Sequence, residues 1–250
     1  MIGADGLHSI VRKLVFGDES QFSHDLGMYI SIFSVPNYLK LDRWEIEYSR
    51  GGKLVNLYSA QGDTEARAAF LFASKNLGID PRDIIQQKAL LGSIYADIGW
   101  EVPRLLKAME NTTDFYFDSV TQICMDHWSK GRVALIGDAG YCASPVSGQG
   151  TSLALVGAYV LAGELAAAHG DYKKAFLAYE QNLRRYVREN QKLGKIFAKN
   201  LTDRKHTPFG WLKEQCMKLL PNQWIHFITT RSLRRVSRAA RSIALRNYTP

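Results

Sequence analysis

The sequence predicts an α/β fold with an α+β insert, and three observations lead to that prediction. Stretches rich in β-branched and aromatic residues fill positions 27–73 and return at 115–125. An apolar strand at 132–137 runs through a loop of small residues into a long apolar helix. Two long helices follow from Gln149 to about Asn200, separated near 169–171. At 250 residues and 46% hydrophobic content, the chain can bury the core of one or two domains.

The elements before residue 120 are predicted from local patterns. Residues 1–17 contain a strand stub, a tight turn and a short helix from about Ser9. Four strand-like stretches follow, and a hairpin turn at SRGGK indicates antiparallel pairing; they are GMYISIFSV, RWEIEYS, KLVNLYSA and RAAFLFAS. Two helices are then expected, the first from Asp80 to Leu91 with Asp80 as N-cap, the second from Trp100 to Glu110.

The chain carries few features of a secreted, metal-binding or membrane-spanning protein. Three cysteines form no C-x-x-C pair and six histidines lack ligand spacing, which favours a reducing compartment and no metal site. The first residues contain no secretory signal, so we expect a cytoplasmic protein. The apolar run at 151–168 is predicted to be a buried helix, because Gly157, Gly163 and Glu164 interrupt it.

The net charge of +8 is concentrated in the last quarter of the chain. Residues 184–250 hold 16 Lys and Arg against 3 Asp and Glu, whereas residues 1–183 hold 16 against 21. In the basic region, 201–250, breaks are expected at Pro208 and Pro221. One stripe of the final helix is apolar and arginines surround it: the stripe is Leu233, Val236, Ala240 and Ile243, and the arginines are Arg231, Arg234, Arg235, Arg238 and Arg241.

Three interpretations of this basic helix remain open. It can dock against the net-negative remainder of the chain, contact a membrane surface peripherally, or contact nucleic acid. Docking is favoured by the charge asymmetry. Nucleic acid is disfavoured because no recognition motif accompanies the arginines, so we expect no nucleic-acid partner.

A candidate ligand site lies at GDAGYCASPVSGQGT, residues 137–151. Asp138 follows the apolar strand, where α/β sheets bind ligands, although a simple turn aspartate is an alternative. Gly148, Gln149 and Gly150 come where the long helix begins, and the first helical amides of such a helix favour an anion or an electron-rich ring. Pro145 stiffens the loop. An ordinary helix entry is the alternative for these glycines.

A second candidate lies in GADGLHSIVR, residues 3–12. Asp5 and Gly6 form a tight turn, and Arg12 follows on a helix start. The carboxylate and the guanidinium can orient each other and hold phosphate or backbone groups. A capped helix with no ligand is the alternative.

Together these two segments resemble signatures of the flavoprotein aromatic hydroxylases, the FAD-dependent monooxygenases similar to p-hydroxybenzoate hydroxylase and the tetracycline-inactivating monooxygenases. The first matches G-A-D-G-x-x-S-x-V-R from Gly3 to Arg12, and the second matches G-D-A-x-x-x-x-x-P-x-x-G-x-G from Gly137 to Gly150. The resemblance covers residues 1 to about 185. It implies a Rossmann-like FAD/NAD(P)-binding domain formed by 1–20 and 120–200, with an antiparallel-sheet substrate domain at 21–119 and a helical C-terminus.

The resemblance also implies site roles. Asp138 would hold the ribityl chain of FAD, residues 148–150 would lie against the flavin ring and pyrophosphate, and residues 5–12 would bridge the FAD and NAD(P)H regions. The implied cofactor-binding residues are Asp5, Gly6, Arg12, Gly137, Asp138, Pro145, Gly148, Gln149, Gly150 and Thr151. No catalytic acid or base is assigned, because the cofactor makes the bonds and the protein orients the reactants.

The implied activity is hydroxylation of an aromatic or polyketide-like small molecule, with NAD(P)H and O2, through a flavin C4a-hydroperoxide. The chain departs from the family pattern at Gly140, Tyr141 and Gly157, where Ala, His and Asp are common. It also lacks G-x-G-x-x-G and the acidic residue for the adenosine ribose, so we expect a fragment that binds FAD poorly. Alternatives are a halogenase, a prenyl-chain reductase, or a non-catalytic remnant that binds a membrane surface or a partner.

Overall fold

A computed structural model describes residues 1–59, 64–74, 76–206 and 235–248. The described chain divides into two compact units. The first unit contains residues 1–26, 121–198 and 235–248, and the second contains the described residues of 27–120 together with 199–206. The predicted α/β class is confirmed. Pro208, Cys216, Pro221, Arg231, Leu233 and Arg234 lie outside the described residues.

Eight strands and six helices are assigned in the described chain. The strands are β1 (Ile2–Gly3), β2 (Ser23–Pro36), β3 (Glu45–Arg50), β4 (Lys53–Tyr58), β5 (Glu65–Ala73), β6 (Tyr116–Ile123), β7 (Ser129–Lys130) and β8 (Val133–Leu135). The helices are α1 (Ile10–Val15), α2 (Ile84–Tyr95), α3 (Val102–Glu110), α4 (Asp138–Tyr141), α5 (Gly150–Ala167) and α6 (Tyr172–His206). Residues 235–240 form a further helical turn near the C-terminus.

The first unit is built on a small sheet in the order β1-β8-β7. The β1 and β8 strands run parallel with Gly3 opposite Leu135, and β7 pairs antiparallel with β8. A side chain at Gly3 would come within 2.7 Å of Leu135 and 2.9 Å of Val11, so this glycine lets strand and helix approach. The core of this unit includes Trp128, Leu135, Tyr141, Leu153, Leu161, Tyr179 and Leu183.

The second unit is a five-stranded sheet in the order β3-β4-β5-β2-β6. The β3–β4, β4–β5 and β5–β2 pairs are antiparallel, and the predicted hairpin at SRGGK joins β3 to β4. Alternate side chains of these strands pack against α2 and α3, because successive strand residues point to opposite faces. The resulting core includes Phe33, Val55, Phe70, Leu91, Tyr95 and Leu105.

The first predicted helix boundary of this unit is wrong. Asp83, not Asp80, is the N-cap of α2, since its carboxylate accepts from the Gln86 amide at 2.9 Å. Asp80 instead accepts from the Arg82 amide at 2.9 Å in a local turn. Aspartate favours caps and such turns equally, so the sequence pattern could not separate the two.

The α5 helix is long and apolar enough to cross a membrane by length and composition, and 33% of that window is buried. Its Leu153, Val160 and Leu161 lie in the core, as expected for a core helix, but Leu155 is 67% exposed. The predicted break before α6 is confirmed at His169 and Gly170, whose φ values are +49° and +83°.

Residues 235–248 dock on α5 within the first unit. Tyr248 donates to Glu164 at 2.6 Å, Tyr159 donates to the Arg246 carbonyl at 3.0 Å, and Ile243 packs on the core. The predicted stripe is wrong in part, because Ala239 is buried whereas Val236 and Ala240 are exposed. The arginines Arg235, Arg238 and Arg241 are exposed, so apolar and tyrosine contacts hold this segment in place.

We expect Tyr248→Ala to release this docked segment. A side chain at Gly163 would overlap the Tyr248 ring, so the ring fills a slot that only glycine leaves open. The variant should therefore be cleaved faster by trypsin after Arg241 and Arg246, measured by mass spectrometry over time. Leu245→Ala, at an exposed position, is the control. Equal cleavage of the wild type and Tyr248→Ala would show that Tyr248 does not anchor the segment.

Candidate functional site

The carboxyl end of β8 forms the first part of the candidate site. Gly137 has φ +61°, and a side chain there would lie 3.3 Å from Ala154 on α5, so both backbone conformation and close packing require glycine. Asp138 begins α4 immediately afterwards, and its side chain is exposed. The turn therefore presents an exposed carboxylate beyond a strand end, next to α5.

The thiol beside this carboxylate is not reactive. Cys142 is 4% exposed, and burial together with the charge of Asp138 raises its pKa to about 12. The thiol is protonated at neutral pH, which makes it a weak nucleophile. Cys142 is thus a buried packing residue.

The start of α5 forms the second part of the site. Pro145 opens a 3-10 turn over residues 145–147, Gly148 follows with φ +64°, and Gln149 is the N-cap. No side chain caps α5 and its first turn, which contains Thr151, holds no acidic residue. A side chain at Gly148 or Gly150 would meet nothing within 4 Å. The helix N-terminus therefore faces open space with its partial positive charge uncompensated by its own side chains.

The N-terminal signature forms a helix cap. Asp5 accepts from the Ser9 hydroxyl at 2.6 Å and from the Val11 amide at 3.0 Å, and Ser9 accepts from the Arg12 amide at 2.9 Å. Partial burial opposes ionisation, but these hydrogen bonds lower the pKa of Asp5. Gly6 lies in the turn with φ +81° and open space around it.

The expected mutual orientation of Asp5 and Arg12 is wrong, because Arg12 pairs with Glu19. The Asp5 carboxylate faces the α1 amides, while the Arg12 side chain runs into the protein and is fully buried. Its guanidinium donates to the carbonyls of Leu7 at 2.6 Å and Ala139 at 2.9 Å. Arg12 thus joins α1 to the turn that carries Asp138, through backbone groups.

Two departures from the family pattern turn out to be in contact. A side chain at Gly157 on α5 would overlap the Tyr141 hydroxyl, and its Cβ would lie 3.2 Å from the Tyr141 Cζ. The Tyr141 hydroxyl lies 3.0 Å from that of Tyr179, which donates to the Leu135 carbonyl at 2.8 Å. The larger residue at 141 is therefore accommodated by the smaller one at 157. Within the described residues, no cluster of three His, Cys, Asp or Glu side chains could hold a metal ion.

Comparison with known proteins identifies the family to which this site belongs. Residues 1–194 match the family described as the FAD binding domain. The chain belongs to the FAD-dependent aromatic hydroxylase family. This family assignment covers both signatures, and it confirms the resemblance inferred from them.

Relatives of this hydroxylase-family chain include proteins of two bacteria. An uncharacterized protein of Mycobacterium tuberculosis is 53% identical over 191 residues, covering 76% of this chain and 51% of the relative. A flavin-dependent monooxygenase of Legionella longbeachae is 49% identical over 195 residues, covering 78% and 50%. The chain spans about half the length of these relatives.

The fold also resembles a solved structure, that of the tetracycline destructase Tet(51). The two share 38% sequence identity with a TM-score of 0.81. The likeness covers 99% of this chain and 62% of the destructase. The hydroxylase-family chain therefore shares its architecture with an enzyme named for acting on tetracycline.

Proposed function

We propose that this chain carries the flavin-holding segments of an FAD-dependent monooxygenase that hydroxylates an aromatic or polyketide-like small molecule, with NAD(P)H and O2 as co-substrates. The observation that supports it most is the open α5 N-terminus at Gly148–Gly150, beside the exposed Asp138. The likeness to the Legionella monooxygenase and to the destructase supports the reaction type and the substrate class.

The residues of this site fit FAD. The α5 amides and helix dipole would hold either the pyrophosphate or the electron-rich end of a reduced ring, because both carry negative charge. Asp138 would accept hydrogen bonds from the ribityl hydroxyls. The two glycines leave no side chain between the α5 backbone and a planar ligand.

When bound, FAD would accept a hydride from NAD(P)H and activate O2, so that one oxygen atom enters the substrate and the other leaves as water. The protein's own contribution is binding and electrostatics. The α5 N-terminus would stabilise negative charge on the ring, and Asp138 would hold the ribityl chain. Arg12 acts indirectly, by holding the Ala139 carbonyl next to Asp138.

We further propose a division of labour along the chain. Residues 1–20 and 120–200 would bind FAD, and residues 21–119 would contact the substrate with their sheet. We propose a cytoplasmic location. We also propose that any peripheral membrane contact is made by the exposed arginines of residues 235–241.

A substitution at Gly150 separates cofactor binding from folding. We expect Gly150→Leu to weaken FAD binding by at least about tenfold, since the new side chain occupies the ligand's space. The thermal midpoint of Gly150→Leu should not fall, because leucine has a higher helix propensity than glycine. A Cβ at position 150 would also meet no protein atom within 4 Å. Flavin fluorescence titration and thermal unfolding of the same samples measure the two effects.

Asp138→Ala supplies the second variant of this test, and Asp126→Ala, at another exposed aspartate of the first unit, is its control. We expect weaker FAD binding only for the substitution at 138. Because this chain is expected to bind FAD weakly, the titration extends to high FAD concentrations, and a folded wild-type chain without detectable binding there would overturn the proposed function. So would FAD binding that neither Gly150→Leu nor Asp138→Ala changes.

A further inference from the structure

A buried glutamine links three elements of the first unit. Gln122 on β6 is fully buried, and its amide nitrogen donates to the carbonyls of Ala143 at 3.0 Å and Gln191 at 2.8 Å. Gln191 on α6 returns a hydrogen bond from its own amide to the Ile123 carbonyl at 2.8 Å. Strand β6, helix α6 and the loop before α5 are therefore locked together at one point.

The loop held by Gln122 is strained. Ser144 has φ +77° and ψ 151°, a backbone conformation that residues other than glycine rarely adopt, and it is 3% exposed. Such strain persists only where neighbouring contacts impose it. Ser144 directly precedes Pro145, whose turn leads to Gly148 and the start of α5. The conformation of Ser144 thus sets the direction in which the chain enters α5.

Helix α6 packs closely against this loop. A side chain at Gly194 would lie 2.6 Å from both the Ala143 carbonyl oxygen and the Ser144 hydroxyl, and 2.9 Å from the Gln122 amide nitrogen. Only glycine allows this approach. The four residues Gln122, Ala143, Ser144 and Gly194 are here called the loop clamp.

We propose that Gln122 is a positioning residue for the flavin: through the loop clamp it holds the strained loop and so places the α5 N-terminus against the cofactor. This inference rests on the proposed function. The inference depends on hydrogen-bond donation by Gln122. The Gln122 amide nitrogen faces two carbonyl oxygens, whereas the Gln122 Oε1 has no partner among the described residues. An apolar side chain would leave both carbonyls without this donor, and a carboxylate would repel them.

Two substitutions at Gln122 distinguish positioning from packing. We expect Gln122→Leu to weaken FAD binding by at least about tenfold at every pH. Gln122→Glu should bind FAD weakly at about pH 8.5 and more tightly towards about pH 6, because a buried carboxyl takes up a proton in that range and then donates to one carbonyl. FAD dissociation constants, measured by fluorescence titration across this pH range, provide the readout.

The groups around the loop clamp do not obscure this pH dependence. Burial raises the pKa of the Cys142 thiol on the loop to about 12 and that of the Cys124 thiol after β6 above its ordinary value. The charged groups near them are Lys195 on α6, which is exposed, Asp138 and Arg12. The wild type, which holds all of them, is measured in parallel and should show no comparable pH response.

Gly194→Ala tests the same clamp without changing Gln122. We expect weaker FAD binding here as well, because the added methyl group displaces the Ala143 carbonyl. Gly92→Ala on α2 is the matched control, since its Cβ would meet nothing within 4 Å. Thermal unfolding of each variant shows which of them remain folded.

Hydrogen exchange of residues 142–150 without FAD separates this inference from the proposed function. We expect faster exchange in Gln122→Leu than in the wild type whether or not FAD binds. If the wild type does not bind FAD, the proposed function fails, while the exchange result still tests whether Gln122 holds the loop. If residues 142–150 exchanged as slowly in Gln122→Leu as in the wild type, the inference would be overturned. Equal, pH-independent FAD affinities of the Leu and Glu variants would also overturn it.

Discussion

Gly157→Ala is expected to lower the free energy of unfolding by about 3 kcal/mol, the upper end of the usual cost of overpacking. Alanine normally stabilises a helix relative to glycine by about 1 kcal/mol, so the expected sign is opposite to the helix propensity. The reason is the Tyr141 hydroxyl, which occupies the space of a Cβ at 157. Denaturant unfolding followed by circular dichroism measures the effect, with Gly92→Ala as the helical control.

The ring of Tyr141 cannot move away from a new methyl group without losing other contacts. It is 1% exposed, its centroid lies 4.6 Å from that of Trp128, and its hydroxyl is bonded to Tyr179. Because packed interiors relax only partly, most of the overlap appears as strain. Retreat of the ring would also break its hydrogen bond with Tyr179, whose hydroxyl is bonded to the Leu135 carbonyl at the end of β8.

A second substitution shows whether positions 141 and 157 are coupled. Tyr141→Phe alone should cost about 1 kcal/mol, the usual value of one hydrogen bond. Combined with Gly157→Ala, it should recover part of the stability, since the hydroxyl that overlaps the new Cβ is gone. A favourable coupling of at least about 1 kcal/mol is expected from the double-mutant cycle. Strictly additive effects would show that the two departures from the family pattern are independent.

This pair illustrates what the sequence could and could not predict. Tyr141 and Gly157 both stood out individually as departures from the family pattern. Their contact depends on how α4 crosses α5, and no local pattern encodes that geometry. The strands were predicted more successfully, because the runs of apolar and aromatic residues in β2, β4 and β5 are typical of strands.

The glycines of the candidate site could be identified from the sequence, whereas the contacts that support the site were harder to predict. Gly137 and Gly148 were both candidate site residues, and both adopt a positive φ, which favours glycine. Gln122 gave no signal, since one glutamine in an apolar strand does not show which carbonyls it will reach. Glu19 gave none either, because it meets Arg12 only after the chain turns beyond α1.

Arg12→Met is expected to lower the free energy of unfolding by about 3 kcal/mol, because the fully buried guanidinium makes several hydrogen bonds whose acceptors would lose their donor. Methionine keeps much of the side-chain volume but leaves the Leu7 and Ala139 carbonyls without their donor. Lys13→Met on the same helix is the control, and at its exposed position the change should stay within about 0.5 kcal/mol. Equal effects at positions 12 and 13 would contradict a buried, paired arginine.

The loss at Arg12 should reach the flavin site as well as the fold. The Ala139 carbonyl that Arg12 holds belongs to the residue after Asp138, so its release frees the turn that presents the carboxylate. We expect weaker FAD binding by Arg12→Met under conditions where the variant is still folded, whereas Lys13→Met should bind as the wild type does. Adding Glu19→Gln should cost less in the Arg12→Met background than alone, because the carboxylate has then already lost its partner. Non-additivity of this kind, with loss of FAD affinity only where position 12 is changed, would show that Arg12, paired with Glu19, supports the cofactor site through the backbone.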